Sequence, residues 1–78
     1  MVPPREQVPH SMGRVRVLIE RERSLQVEFM DDEAIELVDE NPDWIPRSQI
    51  HDNSEVYEYG HDGELVVNEW LAKQRGWI

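Results

Sequence analysis

GRVRVLIERERSLQVEFM, residues 13–30, decides how this chain folds. Val15, Val17 and Ile19 alternate with Arg14, Arg16, Leu18 and Glu20. A period of two sends successive side chains to opposite faces, so the stretch predicts a strand with one apolar face. Arg21 to Ser24 is a polar break. Leu25, Val27 and Phe29 then alternate with Gln26, Glu28 and Met30, which predicts a second strand. The two are expected to pair as an antiparallel hairpin, although no Asn-Gly or Asp-Gly fixes the turn type. Glu28 is expected across from Arg14 and Arg16, a pairing of modest value.

Working towards the C-terminus, Asp31-Asp32-Glu33 ends the second strand. In Ala34 to Val38 the apolar Ile35 and Leu37 flank Glu36, which favours a short strand. Asn41-Pro42 signals a turn. Trp44-Ile45 reads as a brief strand stopped by Pro46, and Arg47 to Ile50 as one helical turn, since Pro46 suits a first helical position. Glu55 to Tyr59 and Glu64 to Val67 flank Gly60-His61-Asp62-Gly63, a hairpin signal. Residues 69–75 predict a helix. Asn68 is its expected N-cap, Glu69 and Lys73 are spaced for an ion pair, and Gly76 closes it so that Trp77 folds back on Leu71 and Ala72.

Working towards the N-terminus, residues 1–12 carry Pro3, Pro4 and Pro9 and show no apolar period. Proline forbids a helix here and disfavours a central strand, so 1–12 is expected to be a disordered leader and 13–78 a single small domain. The fold class expected is α+β, mostly β: a small, strongly bent antiparallel sheet or an SH3-like barrel with one C-terminal helix.

At 78 residues the chain is at most one domain, burying only about 60% of its unfolded surface. Leu, Ile, Val and Phe make up 20 residues, enough for a core but of marginal stability, to which a partner or dimerisation would add. Eight basic against 17 acidic side chains give a formal charge of −9. That argues against unaided binding to nucleic acid or an anionic membrane. No apolar run approaches the ~18 residues of a membrane span, and no secretory signal is visible. The absence of cysteine excludes disulfides, Cys-zinc sites and thiol catalysis. A cytoplasmic setting is the default.

Two blocks, Trp44-Ile45-Pro46-Arg47-Ser48-Gln49-Ile50 and Glu64 to Gly76 with its Glu69-Trp70-Leu71-Ala72 core, resemble a family of small uncharacterised bacteriophage and prophage proteins. The resemblance covers about Leu25 to Trp77. It implies a phage or mobile-element origin and possible action on host machinery, but it assigns no activity to any residue. The acidic insertion Asp31 to Asp43 departs from the short turn such a pattern has before its tryptophan.

The familiar chemistries meet poor patterns. His51-Asp52 and His61-Asp62 lack the three or four convergent ligands of a transition-metal site and read as loop residues. Asp39, Asn41 and Asp43 match the opening spacing of a calcium loop, but Trp44 stands where glycine is needed and Ile50 where glutamate is needed. Ser11, Ser24, Ser48 and Ser54 lie in no nucleophile elbow, and there is no phosphate-binding glycine loop. No catalytic role and no cofactor are therefore expected. Trp44, Tyr57, Tyr59 and Trp70 could stack on bases, yet a stacking platform normally comes with a basic groove. The basic cluster is Arg14, Arg16, Arg21 and Arg23, which makes weak nucleic-acid binding through the first hairpin a second alternative.

Charge distribution is the strong signal. Residues 1–23 sum to +2, whereas residues 24–69 hold 14 acids against Arg47 alone, a charge of −13. Solubility needs a magnitude of only ~2–8. Duplex DNA carries a charge per ~1.7 Å of axis, a density that a carboxylate-edged sheet can imitate. The function expected is an acidic interaction module docking on a basic, nucleic-acid-handling protein, in its sharpest form a DNA mimic of the anti-CRISPR or anti-restriction kind. The residues expected to bind are Asp31, Asp32, Glu33, Glu36, Asp39, Glu40 and Asp43, with Trp44, Tyr57 and Tyr59 as aromatic anchors inside the charged rim. The alternative is a structural phage accessory domain, with a homodimer as one form of it, whose charge serves solubility alone.

Overall fold

The computed structural model describes residues 8–78, so the first seven positions of the expected leader lie outside the described residues. The chain runs β1 (Pro9–Glu20), β2 (Ser24–Phe29), α1 (Asp32–Leu37), β3 (Asp43–Pro46), a 3₁₀ turn (Arg47–Gln49), β4 (Asp62–Asn68) and α2 (Glu69–Gln74). The strands form one antiparallel sheet in the order β3-β2-β1-β4. The class is α+β and mostly strand. Of the two architectures expected, the open bent sheet is the one formed; it does not close into a barrel. After β3 the 3₁₀ turn crosses to the far edge, where Ile50 makes a single bridge to Val67.

The bend comes from β1. Ser11 faces Val66 and Arg14 faces Glu64, so β1 fits one more residue than β4 between those pairs. Val17 faces Val27 and Ile19 faces Gln26, so β1 carries a second extra residue against β2. Each bulge adds twist and turns the strand. The first sits at Gly13, with φ +77°, a left-handed conformation that glycine adopts without a Cβ penalty. It also moves the apolar phase by one residue. Met12, Val15 and Val17 are all core residues although they do not share a period of two.

This corrects the expected start of the domain. Pro9 to Met12 are the first residues of β1, not leader. Pro9 begins the strand, a position where no ladder donor is lost. The core face joins Val15, Val17, Leu25, Val27, Phe29, Ile45, Leu65 and Val67, and Ala34 of α1 with Leu71 and Ala72 of α2 cover it.

Two expected strands are absent. Ala34 to Val38 lies in α1 with its following residue: Val38 N–H donates to Ala34 O and Ile35 N–H to Asp31 O. Its buried residue is Ala34, with Ile35 and Leu37 exposed, so the alternation of Ile35 and Leu37 does not mark a buried face. Glu55 to Tyr59 is loop. Glu55 N–H donates to Glu64 O, but the return bond is made by the Glu55 side chain, whose Oε1 accepts from Glu64 N–H at 2.8 Å. The Ser54 hydroxyl accepts from Val66 N–H and donates to Val56 O. Side chains thus take the rungs that a second strand would have filled.

The C-terminal helix forms as expected, ending at Gln74. Gly76 N–H donates to Lys73 O and Trp77 N–H to Ala72 O, a Schellman closure with Gly76 at φ +74°. Lys73 lies 3.2 Å from Glu69. Asn68 precedes the helix without a side-chain capping bond; its Nδ2 donates to Gln49 Oε1 instead.

Candidate functional site

The acidic stretch between β2 and β3 begins where β2 leaves the sheet. Asp31 is held by the bulge: Arg14 N–H donates to its Oδ2 at 3.0 Å. A Cβ on Gly13 would stand 2.2 Å from that same oxygen, so the glycine clears the seat that the carboxylate occupies. Asp32, Glu33, Glu36, Asp39 and Glu40 are exposed and, among the described residues, make no side-chain hydrogen bond or ion pair.

Asp43 has a different role. Its Oδ1 accepts from Trp44 N–H at 2.8 Å, and its Oδ2 receives Arg75 Nη1 at 2.9 Å. Arg75 Nη2 also donates to Trp44 O. Trp44 lies on the outermost strand, so both of its backbone groups are occupied by side chains rather than left to template another strand. Pro46, two residues on along the same edge, has no N–H to offer. Such blocking is how an edge strand avoids pairing with a neighbour. One turn back, Asn41 serves β2 in kind: Oδ1 accepts from Phe29 N–H and Nδ2 donates to Phe29 O, at 2.8 and 3.1 Å. The Asn41–Pro42 bond is cis. The calcium-like spacing of Asp39, Asn41 and Asp43 therefore does not converge: Asn41 serves β2, Asp43 serves the β3 edge, and Asp39 makes neither contact.

Eight of the ten expected binding residues line one of three clefts. An open cleft of about 500 Å³ between α1 and the first bulge carries Asp31, Asp32 and Glu33. A second, of about 430 Å³, carries Asp39, Glu40, Asp43 and Trp44. Trp77 lines both, so the two acidic clefts are neighbours. Trp77 is itself buried, edge-on to Phe29 at 5.9 Å and under the Arg75 guanidinium at 5.6 Å. Tyr57 lines a third cleft with Arg47, His51 and Asp52, and Glu36 and Tyr59 line none of these three. Tyr57 and Tyr59 are thus not brought into either acidic cleft.

Apart from Arg75, which pairs with Asp43, most cations have partners outside the expected binding carboxylates. Asp62 lies 2.7 Å from Arg14 and 3.7 Å from Arg16, while Glu20 takes Arg47 at 3.0 Å. Arg21 lies over the Trp44 ring. Among the described residues Arg23 is the cation with neither an ion pair nor a ring contact. Arg16 faces Glu28 on one side and Asp62 on the other, so carboxylates flank the expected basic patch. Glu20 is held below the usual carboxylate range, first by the Tyr59 N–H it accepts and then by Arg47.

The histidines are used locally. His51 Nδ1 accepts from Asn53 N–H, and His61 Nδ1 accepts from Tyr57 N–H with Nε2 3.3 Å from Glu58. Among the described residues no three acidic or imidazole side chains gather as a metal site. No described helix is long and apolar enough to cross a membrane.

Sequence reasoning missed Met12, Ala34, Leu37 and Trp77, the apolar residues of the larger cleft. A signal existed for two of them: Ala34 and Leu37 are three apart, the helical spacing. Compared with known protein families, curated proteins and solved structures, the chain finds no match.

Proposed function

We propose that this protein is a binding module whose acidic surface docks on a cationic protein surface, most aptly that of a nucleic-acid-handling protein. The observation that carries the reading is the uncompensated run Asp32, Glu33, Glu36, Asp39 and Glu40. Each is exposed and, among the described residues, unpaired, while Arg14, Arg16, Arg47, Lys73 and Arg75 are matched to other acids. A chain needing only solubility gains nothing from concentrating its repulsion in one segment. A cationic partner would relieve that repulsion and be steered to it at long range. Inhibition by DNA mimicry in a phage setting is the sharpest form of the proposal, and it rests on charge density alone.

The second reading is an accessory domain that associates through apolar surface. Exposed Met30, Ile35, Trp70 and Ile78 favour it. The blocked β3 edge limits the ways in which such a pair could form.

The test is capture from bacterial lysate by the immobilised full chain at low and at high salt. The proposal expects a nucleic-acid-binding protein retained at low salt and released at high salt. Salt-insensitive self-association with no such capture contradicts it and supports the accessory domain.

A further inference from the structure

The larger acidic cleft is not only charged. Its base is apolar, formed by Met12, Ala34 and Trp77, each 5% exposed or less. Leu37 stands at its side with 48% of its surface exposed. Asp31, Asp32 and Glu33 line it as well, with His10, Ser11 and Gly13 from β1. At about 500 Å³ the cleft lies in the range of ligand pockets, with room for one large apolar side chain and the backbone that carries it.

We infer that this cleft is the anchor point of the interface: it takes a single large apolar side chain from a partner segment whose flanking residues are lysine or arginine. The inference rests on the acidic-module reading and adds to it the place and the chemistry of the contact. Charge complementarity selects this occupant. An uncharged apolar segment would seat its side chain on Leu37 and Trp77 but strip water from Asp32 and Glu33 without replacing it, which is unfavourable. A cationic segment lacking the apolar residue would satisfy the acids and leave the base of the cleft wet. A segment with both satisfies both, which is the usual anatomy of an interface anchor inside a polar rim.

The cleft is held ready by its own sequence. Gly13 permits the bulge that brings Met12 into the core. Arg14 N–H fixes the Asp31 carboxylate, and the short helix presents Ala34 inward with Leu37 exposed beside the cleft. The second acidic cleft shares Trp77 but has neither Met12 nor Ala34. There Asp43 and Arg75 are paired to each other, and that pair serves the β3 edge.

Two synthetic peptides test the inference against the full chain. One is rich in Lys and Arg with one central Leu; the other has Ser in place of that Leu. Affinities are read by calorimetry and the site by amide chemical shifts. The expected result is that the Leu peptide binds about tenfold more tightly, roughly 1.4 kcal/mol, with shifts centred on Met12, Gly13, Ala34 and Leu37. Leu37→Ser is expected to remove that advantage while leaving the Ser peptide's affinity unchanged. Its half-exposed position makes it a mild change to the fold, and the variant's spectrum checks this. Equal affinity of the two peptides, or shifts centred on Asp39 to Trp44, overturns the anchor cleft while the acidic-module reading stands. Binding of neither peptide overturns both.

Discussion

Replacing Gly13 by alanine tests how the bulge and the acidic segment support one another. Two costs follow from the geometry. At φ +77° an L-residue occupies the left-handed region at about 1–2 kcal/mol. The new Cβ would also lie 2.2 Å from Asp31 Oδ2 and 3.0 Å from its Cγ, so the carboxylate must leave. Leaving breaks its bond from Arg14 N–H, a charge-assisted bond at an exposed site, for which about 1 kcal/mol is apt. The expected destabilisation of Gly13→Ala is therefore about 2–3 kcal/mol. In an Asp31→Ala background the bond and the clash with Oδ2 and Cγ are gone, leaving a tight 3.3 Å approach to the remaining Cβ, and Gly13→Ala should cost little beyond the backbone strain of about 1–2 kcal/mol. Urea unfolding of the two single variants and the double variant measures this, with an unchanged dependence on denaturant as the control for two-state behaviour. A coupling near 1 kcal/mol supports the reasoning. Additivity within about 0.5 kcal/mol refutes the Asp31 contact, and a cost below about 0.5 kcal/mol for Gly13→Ala alone refutes the strained bulge.

Three further outcomes are expected. Arg75→Ala frees the Trp44 carbonyl and unpairs Asp43, so light scattering should detect more concentration-dependent self-association than in the parent; no increase argues that the edge is not held by this pair. Trp77→Ala removes the ring that packs edge-on against Phe29 and should cost about 3–5 kcal/mol in urea unfolding, much of what so small a domain has; a loss under about 1 kcal/mol would place Trp77 outside the cooperative core. Glu20 has a folded pKa below its unfolded one, so its contribution is present above the ordinary carboxylate range and disappears as pH falls through the depressed value. The stability difference between parent and Glu20→Gln should therefore be present at neutral pH and vanish in acid, and a difference that persists in acid contradicts the sign.

The hairpin of β1 and β2 was legible because Val15, Val17, Leu25, Val27 and Phe29 bury one face at a strict period of two, and the period is the physics. The C-terminal closure was legible for a similar reason, since Gly76 and Trp77 fulfil a local hydrogen-bonding requirement. What escaped the sequence was set by distant partners. Met12 looked aperiodic because a bulge stands between it and Val15. The segment at Glu55 looked like a strand, but the Ser54 hydroxyl and the Glu55 carboxylate claim the backbone groups it would have paired with. Ile35 and Leu37 alternate as a strand would, yet the buried residue of that segment is Ala34. In the site, composition identified the acidic segment but not its division. Asp43 differs from Asp39 and Glu40 through the Trp44 N–H it accepts and through Arg75, a residue 32 positions away in sequence. Tyr57 and Tyr59 are exposed as expected of anchors, yet neither lines the acidic clefts.

The central claim is that the unpaired carboxylates bind. Reversing Asp32, Glu33, Glu36 and Glu40 to lysine changes the charge by two at each position and moves the formal total from −9 to −1. None of the four makes a side-chain hydrogen bond or ion pair among the described residues, so the fold should persist, as circular dichroism would show. Capture from bacterial lysate at physiological salt, quantified against the parent chain, is the direct measurement. The account predicts that nucleic-acid-binding proteins retained by the parent are lost by the reversed variant. Their retention in full by a folded variant would contradict it.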